Sequence, residues 1–184
     1  MTASAQIDTE RLVLREPLES DAIQLRDYHV GNAERFDRWE PKRGTEVEAY
    51  RRWVEWRRDE RGASRGLTFL AFDRAAPGTL VGLVSFDAMT THPARTAMIS
   101  YSVDGAYEGR GYARETVGAM IDYGLGALAL DAISANYDPA NARSGGLLAR
   151  LGFTVVATTP AIPGAEQFMR AQVLAMLTRP TAPG

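Results

Sequence analysis

The residues best suited to chemistry lie in one short segment, residues 108–113 (EGRGYA), which we name the glycine loop. Gly109 and Gly111 have no Cβ, so the backbone N–H groups around Arg110 can approach a ligand closely. A helical pattern follows, and a helix N-terminus carries partial positive charge. Arg110 and Arg114 can donate charge-assisted hydrogen bonds to phosphate oxygens. The segment predicts a phosphate site, although two glycines can equally serve only as a tight strand-to-helix connection.

A second pair of polar residues, Asn141 and Ser144, lies three positions apart at the start of another predicted helix. This spacing places both side chains on one helical face, where they could bind a ligand together. Asparagine is also a common N-cap and serine a common first-turn residue, so helix capping explains the pair without a ligand. The spacing alone leaves both interpretations open.

The elements that must position these residues follow from hydrophobic periodicity and from start and stop signals. Helix one follows an N-cap at Ser20-Asp21, and helix two follows a capping box formed by Thr45 and Glu48. The predicted strands are 11–16, 67–73, 79–87, 96–103, 132–136, 153–157 and 168–177, and the later helices are 111–125 and 141–151. The middle three consecutive strands form an antiparallel meander. The order predicts an α+β fold, with a mixed, mainly antiparallel central sheet and helices on both faces.

Composition narrows the class of protein. The chain has 184 residues with 45% hydrophobic and 24% charged side chains, which predicts a single soluble domain over residues 1–184 with an ordered core from about 8 to 178. It has no cysteine, which excludes disulfides, thiolate metal sites and a cysteinyl intermediate. Its only lysine is Lys42, so a Schiff base would depend on that residue. We expect no metal.

Charge and hydropathy also limit the partners. The net charge of −2 gives no global field for nucleic acid or anionic lipid. No uncharged run reaches the roughly 18 residues of a membrane helix, and charged residues occupy the place of a signal peptide. We therefore expect a cytoplasmic protein, a monomer or homodimer, that binds neither nucleic acid nor membrane. The sequence also lacks GxxxxGK[ST], and no GxGxxG follows a strand, so it does not support a P-loop or dinucleotide-binding fold.

Three separated segments resemble one family. Residues 99–115 (ISYSVDGAYEGRGYARE) resemble motif A of the GCN5-related N-acetyltransferases, the GNAT superfamily. Residues 9–16 (TERLVLRE) are similar to the first strand of that family, and residues 141–153 (NARSGGLLARLGF) are similar to its motif B. The resemblance is closest to the RimJ/RimL-like branch, which acetylates N-terminal amines of ribosomal proteins. It implies the GNAT fold and an acetyl-CoA-dependent N-acetyltransferase.

The resemblance also implies which residues bind coenzyme A. In the family, the loop amides and the helix start bind the pyrophosphate, and the strand before the loop pairs its backbone with the pantetheine arm. The implied residues are Gly109, Arg110, Gly111, Tyr112, Ala113, Arg114, Tyr101, Ser102, Val103 and Asn141. Glu108 departs from the pattern, because a carboxylate there would repel a diphosphate. We expect Glu108 to face solvent, or else to pair with Arg114.

Acetyl transfer to an amine needs a polarised carbonyl, a proton source for the sulfur and a neutral amine. The resemblance implies Ser144 as donor to the departing thiolate, and the backbone N–H of Val103 can stabilise the oxyanion. Asp87 is the first candidate for the base, although it could simply begin a turn, and Glu40 and Asp37 are alternatives. Without a cysteine, direct attack in a ternary complex is favoured over a covalent relay.

The sequence gives weaker indications of function for the two histidines and for several aromatic residues. We interpret His29 and His92 as packing or surface histidines. Phe36, Trp39 and Trp56 are candidates to line the acceptor groove, which helices one and two wall in the family, whereas Trp53 has core spacing.

The acceptor is a primary amine, either a protein N-terminus or a small molecule. One rival hypothesis is a noncatalytic acyl-CoA-binding or regulatory domain, and another is an ordinary nucleotide-binding protein.

Overall fold

The structure is a computed structural model that describes residues 5–161 and 170–179. The strands are β1 Gln6–Asp8, β2 Leu12–Arg15, β3 Leu67–Asp73, β4 Leu80–Thr90, β5 Thr96–Val103, β6 Ala132–Tyr137, β7 Thr154–Thr159 and β8 Gln172–Thr178. The α-helices are α1 Ala22–Gly31, α2 Ala33–Phe36, α3 Val47–Gly62, α4 Tyr112–Leu125 and α5 Ala142–Arg150. Short 3-10 turns at Glu19–Asp21 and Gly105–Tyr107 precede α1 and the glycine loop.

The eight strands form one sheet in the order β1-β2-β3-β4-β5-β6-β8-β7. The pairs are antiparallel except β5 with β6, which is parallel. That parallel pairing covers only Thr96–Met98 against Ala132–Ser134, so the two strands separate towards their carboxyl ends. The predicted α+β fold, with its mainly antiparallel sheet and its β3-β4-β5 meander, is confirmed.

Hydrophobic cores lie on both faces of the sheet, because alternate residues of each strand point to opposite sides. Phe69 and Phe86 pack with α4 and α5 on one face, whereas Leu70 and Leu83 pack with α1 and α3 on the other. The alternation predicted for the first strand is confirmed, since Leu12 and Leu14 are fully buried. The prediction of helices on both faces is therefore also confirmed.

The N-cap of α1 is Asp21, within the predicted Ser20-Asp21 signal, whereas the predicted start of helix two was wrong in detail. A 3-10 turn precedes α1, and the Asp21 carboxylate accepts from the Leu18 N–H and from the Arg15 guanidinium, which ties it to β2. The N-cap of α3 is Glu46 and has no side-chain cap, so the predicted capping box of Thr45 and Glu48 is absent. The start of α1 thus combines a local bond to Leu18 with an ion pair to β2, whereas α3 begins without a side-chain cap.

Several observed element boundaries also differ from the predicted ones. Helix α1 ends at Gly31 with Asn32 as its C-cap, and the short helix α2 follows directly. Strand β4 continues to Thr90 through a register irregularity at which Ala88 has φ 48°, so the strand is longer than its apolar run. The last strand begins at Gln172, and residues 168 and 169 of its predicted span lie outside the described residues. Within residues 5–161 and 170–179, no helix is long and apolar enough to cross a membrane.

Candidate active site

The glycine loop lies between the carboxyl end of β5 and the start of α4, as predicted. Gly109 has φ +69° and Gly111 has φ +85°, a left-handed conformation in which a side chain would be strained. Gly111 is the N-cap of α4, and a Cβ there would lie 3.3 Å from Arg11 Nη2. The two glycines thus let the backbone turn and leave the amino end of α4 uncovered by side chains.

A hydrogen-bond network that the sequence did not indicate joins the start of α4 to the connection between β1 and β2. The Glu115 carboxylate accepts from the Thr9 hydroxyl at 2.6 Å, from the Arg11 N–H at 2.8 Å and from Arg11 Nε at 2.7 Å. The second arm of the Arg11 guanidinium donates to the Arg110 carbonyl at 2.9 Å. Burial opposes ionisation, but these donors together hold the pKa of Glu115 below its usual value. These bonds therefore anchor the first turn of α4 to Thr9 and Arg11.

The two arginines predicted to reach phosphate differ in surroundings. Arg110 lies 5.6 Å from the ring centroids of both Tyr107 and Tyr112, so its guanidinium stacks above the loop. Arg114 is exposed on the first turn of α4. Both remain at the outer surface of the glycine loop.

Glu108 is exposed, as expected, but it does not pair with Arg114. Its carboxylate forms ion pairs with Arg35 of α2 and Arg143 of α5, and its side chain is 35% exposed. The partners are 73 and 35 residues away in sequence, which no local pattern could indicate. With two guanidinium groups beside it, the carboxylate repels a diphosphate less than an isolated charge would.

The separation of β5 from β6 beyond Met98 leaves a wedge-shaped gap next to the glycine loop, which we name the wedge. Tyr101, Ser102 and Val103 pair with β4 on one side, while the ladder with β6 has already ended at Met98. Their neighbouring side chains point to opposite faces, because Ser102 Oγ accepts from Tyr28 Oη at 2.9 Å and Tyr101 Oη lies 2.8 Å from Ser144 Oγ. Beside the wedge, β5 therefore contacts α1 through Ser102 on one face of the sheet and α5 through Tyr101 on the other.

Asn141 and Ser144 come together at the start of α5, as predicted. Asn141 Oδ1 accepts from the Ser144 N–H at 3.2 Å, so the capping interpretation of Asn141 is confirmed. The Ser144 hydroxyl is still directed to Tyr101 at the wedge. Burial, with a smaller contribution from Tyr137, outweighs the bond to Ser144 and raises the pKa of Tyr101. The phenol is therefore protonated at neutral pH and can donate to Ser144.

Asp87, the candidate base, lies within β4, so the alternative that it begins a turn is wrong. One carboxylate oxygen accepts from Arg57 at 2.6 Å and the other from Ser100 at 2.8 Å. Asp87 is three residues from Val84, the partner of Tyr101, which corresponds to about 10 Å along a strand. The structure thus does not place Asp87 beside Ser144. The alternatives also have partners, Glu40 with Arg43 and Asp37 with Lys42.

The histidines lie as predicted. His29 is 5% exposed among the rings of Tyr28, Phe36 and Tyr50, and His92 is exposed. Among the described residues, no cluster of acidic and histidine side chains could hold a metal ion.

The core packing predicted for Trp53 is confirmed, whereas the lining of the acceptor groove by Trp39 and Trp56 stays a prediction. Trp53 packs against the core between α1 and α3. Trp39 and Trp56 are exposed by 43% and 49%.

Comparison with known proteins decides the family. Residues 11–154 match the model of the acetyltransferase (GNAT) domain. The chain belongs to this family. It is 31% identical over 152 residues to the [ribosomal protein uS5]-alanine N-acetyltransferase of Escherichia coli (strain K12), covering 80% of this chain and 77% of that protein. The predicted GNAT fold and the predicted acetyl-CoA-dependent N-acetyltransferase activity are confirmed, and nothing supports the noncatalytic alternative.

Solved structures of GNAT proteins have the same architecture. The ribosomal-protein-S5-alanine acetyltransferase of Vibrio fischeri superposes with a TM-score of 0.84 at 26% identity, covering 95% of this chain and 96% of that chain. RimJ of Mycobacterium smegmatis, solved in complex with CoA-disulfide, superposes with a TM-score of 0.82 at 21% identity, covering 95% and 86%. At 21% identity, the similarity to RimJ shows a shared fold only.

Proposed function

We propose that this GNAT enzyme acetylates the N-terminal α-amine of a protein, with a ribosomal protein as the acceptor. The observation that carries the proposal is the wedge between β5 and β6, which opens beside the glycine loop and the Ser144 hydroxyl. The relative at 31% identity is named for transfer to an alanine of ribosomal protein uS5, which favours a protein acceptor over a small molecule. A ribosomal acceptor would place the enzyme in the cytoplasm.

Acetyl-CoA is the proposed donor substrate of the wedge. Within the segment Tyr101, Ser102 and Val103, the backbone groups directed away from β4 would bond the pantetheine amides, as strand edges bind extended ligands. The amino end of α4, from Gly109 to Ala113, would bind the pyrophosphate, with Arg110 and Arg114 as charged donors. The cap residue Asn141 would contact the coenzyme arm beside them.

The catalytic roles follow from the direction of each group. A Val103 N–H would stabilise the oxyanion formed when the amine attacks the thioester carbonyl. As the carbon–sulfur bond breaks, Ser144 would donate its proton to the thiolate, with Tyr101 donating to Ser144 in turn.

The base is the remaining role. An α-amine has a pKa of about 8, so part of it is neutral at pH 7 and needs little help. Asp87 remains our candidate base, acting through water, because each carboxylate oxygen keeps a second lone pair beside Arg57 and Ser100.

The test follows thiol release from acetyl-CoA with peptide acceptors. A peptide with a free N-terminal alanine should be acetylated at that amine, as mass spectrometry would show. The matched control has the same sequence with a blocked N-terminus and one internal lysine, and it should not react. Equal turnover of the blocked peptide would contradict the α-amine assignment.

The proposed role of Ser144 has its own variant. Ser144→Ala should lower kcat by about 100-fold, the usual scale for a positioned proton donor. The Kd for coenzyme A should stay within about twofold, because the hydroxyl acts only on the sulfur as it leaves. An unchanged kcat would remove Ser144 from the mechanism.

A further inference from the structure

Ser100 is exposed although it lies in β5, which pairs with β4 and β6 in the middle of the eight-stranded sheet. The exposure follows from the wedge, because the ladder between β5 and β6 ends at Met98, two residues before Ser100. A hydroxyl group in the interior of the sheet is thereby open to a ligand. The catalytic roles above use Tyr101 of the same strand but give Ser100 no function.

The side chain of Ser100 points to the face of the sheet opposite to Ser144. Neighbouring residues of a strand alternate between the faces, so Ser100 shares a face with Ser102, which contacts Tyr28 of α1. Tyr101 points to the other face, where its hydroxyl contacts Ser144. An amine attacks a thioester carbon from outside the plane of the carbonyl group, so the groups that serve the nitrogen and the sulfur need separate positions. Ser100 and Ser144 have such positions beside the wedge.

The hydrogen of the Ser100 hydroxyl is directed to Asp87. Ser100 Oγ lies 2.8 Å from Asp87 Oδ2, and an ionised carboxylate can only accept, so the serine donates this bond. The lone pairs of Ser100 Oγ are therefore left to accept a second hydrogen bond at the wedge. The N–H group of an amine is a donor that fits an oxygen in this state.

Asp87 is held in this position from the side of α3. Arg57, which is only 4% exposed, donates to Asp87 Oδ1 at 2.6 Å and to the Phe86 carbonyl at 3.3 Å. Each carboxylate oxygen thus has a partner, Arg57 on one and Ser100 on the other, and the guanidinium compensates the negative charge. The hydroxyl of Ser100 therefore joins this carboxylate to β5 at the wedge.

We propose that Ser100 is a catalytic residue that passes a proton from the attacking amine to Asp87. The nitrogen becomes positively charged as its bond to the thioester carbon forms. It then loses a proton to Ser100 Oγ, while the hydrogen of Ser100 moves to Asp87 Oδ2, so the serine ends neutral and Asp87 ends as a carboxylic acid. The carbon–sulfur bond breaks with its electron pair on the sulfur, and Asp87 later returns its proton to water.

This relay rests on the proposed function for the role of Asp87 as base, and it places the Ser100 hydroxyl where that function places a water molecule. The two routes predict different effects of one substitution. A relay through Ser100 is lost when the hydroxyl is removed, whereas a relay through water does not depend on it. The relay applies to any primary amine that reaches the thioester.

The test measures kcat/KM for the peptide with a free N-terminal alanine at saturating acetyl-CoA. Ser100→Ala should lower it by about 100-fold, the lower end of the range for proton transfer by a positioned group, with the Kd for coenzyme A within about twofold. Ser100→Thr keeps a hydroxyl on a residue that suits a strand, so it should stay within about threefold of wild type. Asp87→Asn should cause a loss similar to that of Ser100→Ala, and the double variant should lose no more than either single variant.

The matched control is Ser134→Ala. Ser134 lies opposite Met98 in the paired part of β6 and donates to the Ala97 carbonyl at 3.4 Å, so its loss should leave kcat/KM within about twofold. An unchanged rate for Ser100→Ala would overturn the relay, and a loss for Asp87→Asn alone would keep the route through water. If no peptide is acetylated, the proposed acceptor class fails, and the same variants are compared on small primary amines. Ser100→Ala must show the same loss there, and an unchanged rate would overturn the relay.

Discussion

At the scale of single residues, the proposed role of Ser144 as proton donor to the leaving sulfur depends on its contact with Tyr101. Tyr101 Oη lies 2.8 Å from Ser144 Oγ, and burial keeps the phenol protonated. A phenol that donates to Ser144 leaves the serine hydrogen free to point elsewhere. In the proposed mechanism, Tyr101 would therefore be a positioning residue for Ser144.

We expect Tyr101→Phe to lower kcat by about tenfold, the effect of one buried hydrogen bond, with little change in KM for acetyl-CoA. Steady-state rates for Tyr101→Phe, Ser144→Ala and the double variant would test the coupling. If the tyrosine acts through the serine, adding Tyr101→Phe to Ser144→Ala should have no further effect on kcat. Independent, multiplicative losses would contradict the coupling.

A second residue-scale prediction concerns Glu115, whose carboxylate joins α4 to β2. Its folded-state pKa lies below the unfolded value, so its stabilising contribution is present above the unfolded pKa of about 4.3 and is lost as the pH falls through the folded-state pKa. Glu115→Gln should lower the free energy of unfolding by about 1–3 kcal/mol between pH 5.5 and 8. Urea unfolding should show that the difference shrinks below about pH 4.

The matched control is Glu48→Gln on α3. Glu48 is 60% exposed and pairs with Arg51 at 3.3 Å, so its loss should change the free energy of unfolding by less than about 0.5 kcal/mol at any pH. An effect of Glu115→Gln no larger than this would mean that the network on Glu115 contributes little.

At the scale of elements, the glycine loop and α4 form one unit with two conformationally different glycines. Gly111 caps the helix at φ +85°, whereas Gly118 lies within α4, where a Cβ would contact only Leu151 Cδ2 at 3.9 Å. The same substitution to alanine should therefore have opposite effects at the two positions.

Gly111→Ala should destabilise the fold by about 1–2 kcal/mol, because the left-handed conformation is strained for alanine. It should also weaken binding of coenzyme A, since the Cβ meets Arg11 Nη2 beside the proposed pyrophosphate site. Gly118→Ala should stabilise by about 0.5–1 kcal/mol, because alanine favours a helix interior. Thermal unfolding and calorimetric titration with coenzyme A measure both effects, and similar changes for the two variants would contradict this account.

At the scale of the whole molecule, the wedge is a property of the sheet and not of any one strand. The ladder between β5 and β6 ends at Met98, while β6 continues to pair with β8 as far as Tyr137. β5 and β6 therefore each keep their outer partner and separate only from one another.

This geometry predicts where ligand binding slows hydrogen exchange. Coenzyme A at about 100 times its Kd should raise the free energy of unfolding by roughly 2.7 kcal/mol through mass action. Added local protection should appear in the segments 99–103 and 109–113, at the amides that are directed away from β4 and towards the proposed ligand. Residues 67–73 of the buried strand β3 serve as the control, since they should gain only the global effect. Protection equal in all these segments would argue against binding in the wedge.

Much of the fold could be predicted because its signals are local. The alternation of Leu12 and Leu14 in the first predicted strand and the helical pattern over 111–125 depend on near neighbours in the chain, and the structure agrees with both. The capping box at Thr45 was predicted wrongly because a local signal can be overridden by tertiary packing.

The sequence by itself determined the class of site: the left-handed glycines, the start of α4, the cap at Asn141 and the place of Ser144 all follow from short-range constraints on the backbone. Only the tertiary structure decided which groups meet across the site. Glu108 forms ion pairs with Arg35 and Arg143, and Asp87 forms one with Arg57. Tyr101 contacts Ser144, which lies 43 positions away in sequence. Such contacts depend on how β5 and β6 separate and how the helices pack on the sheet, and both are set by the assembled cores rather than by any one segment.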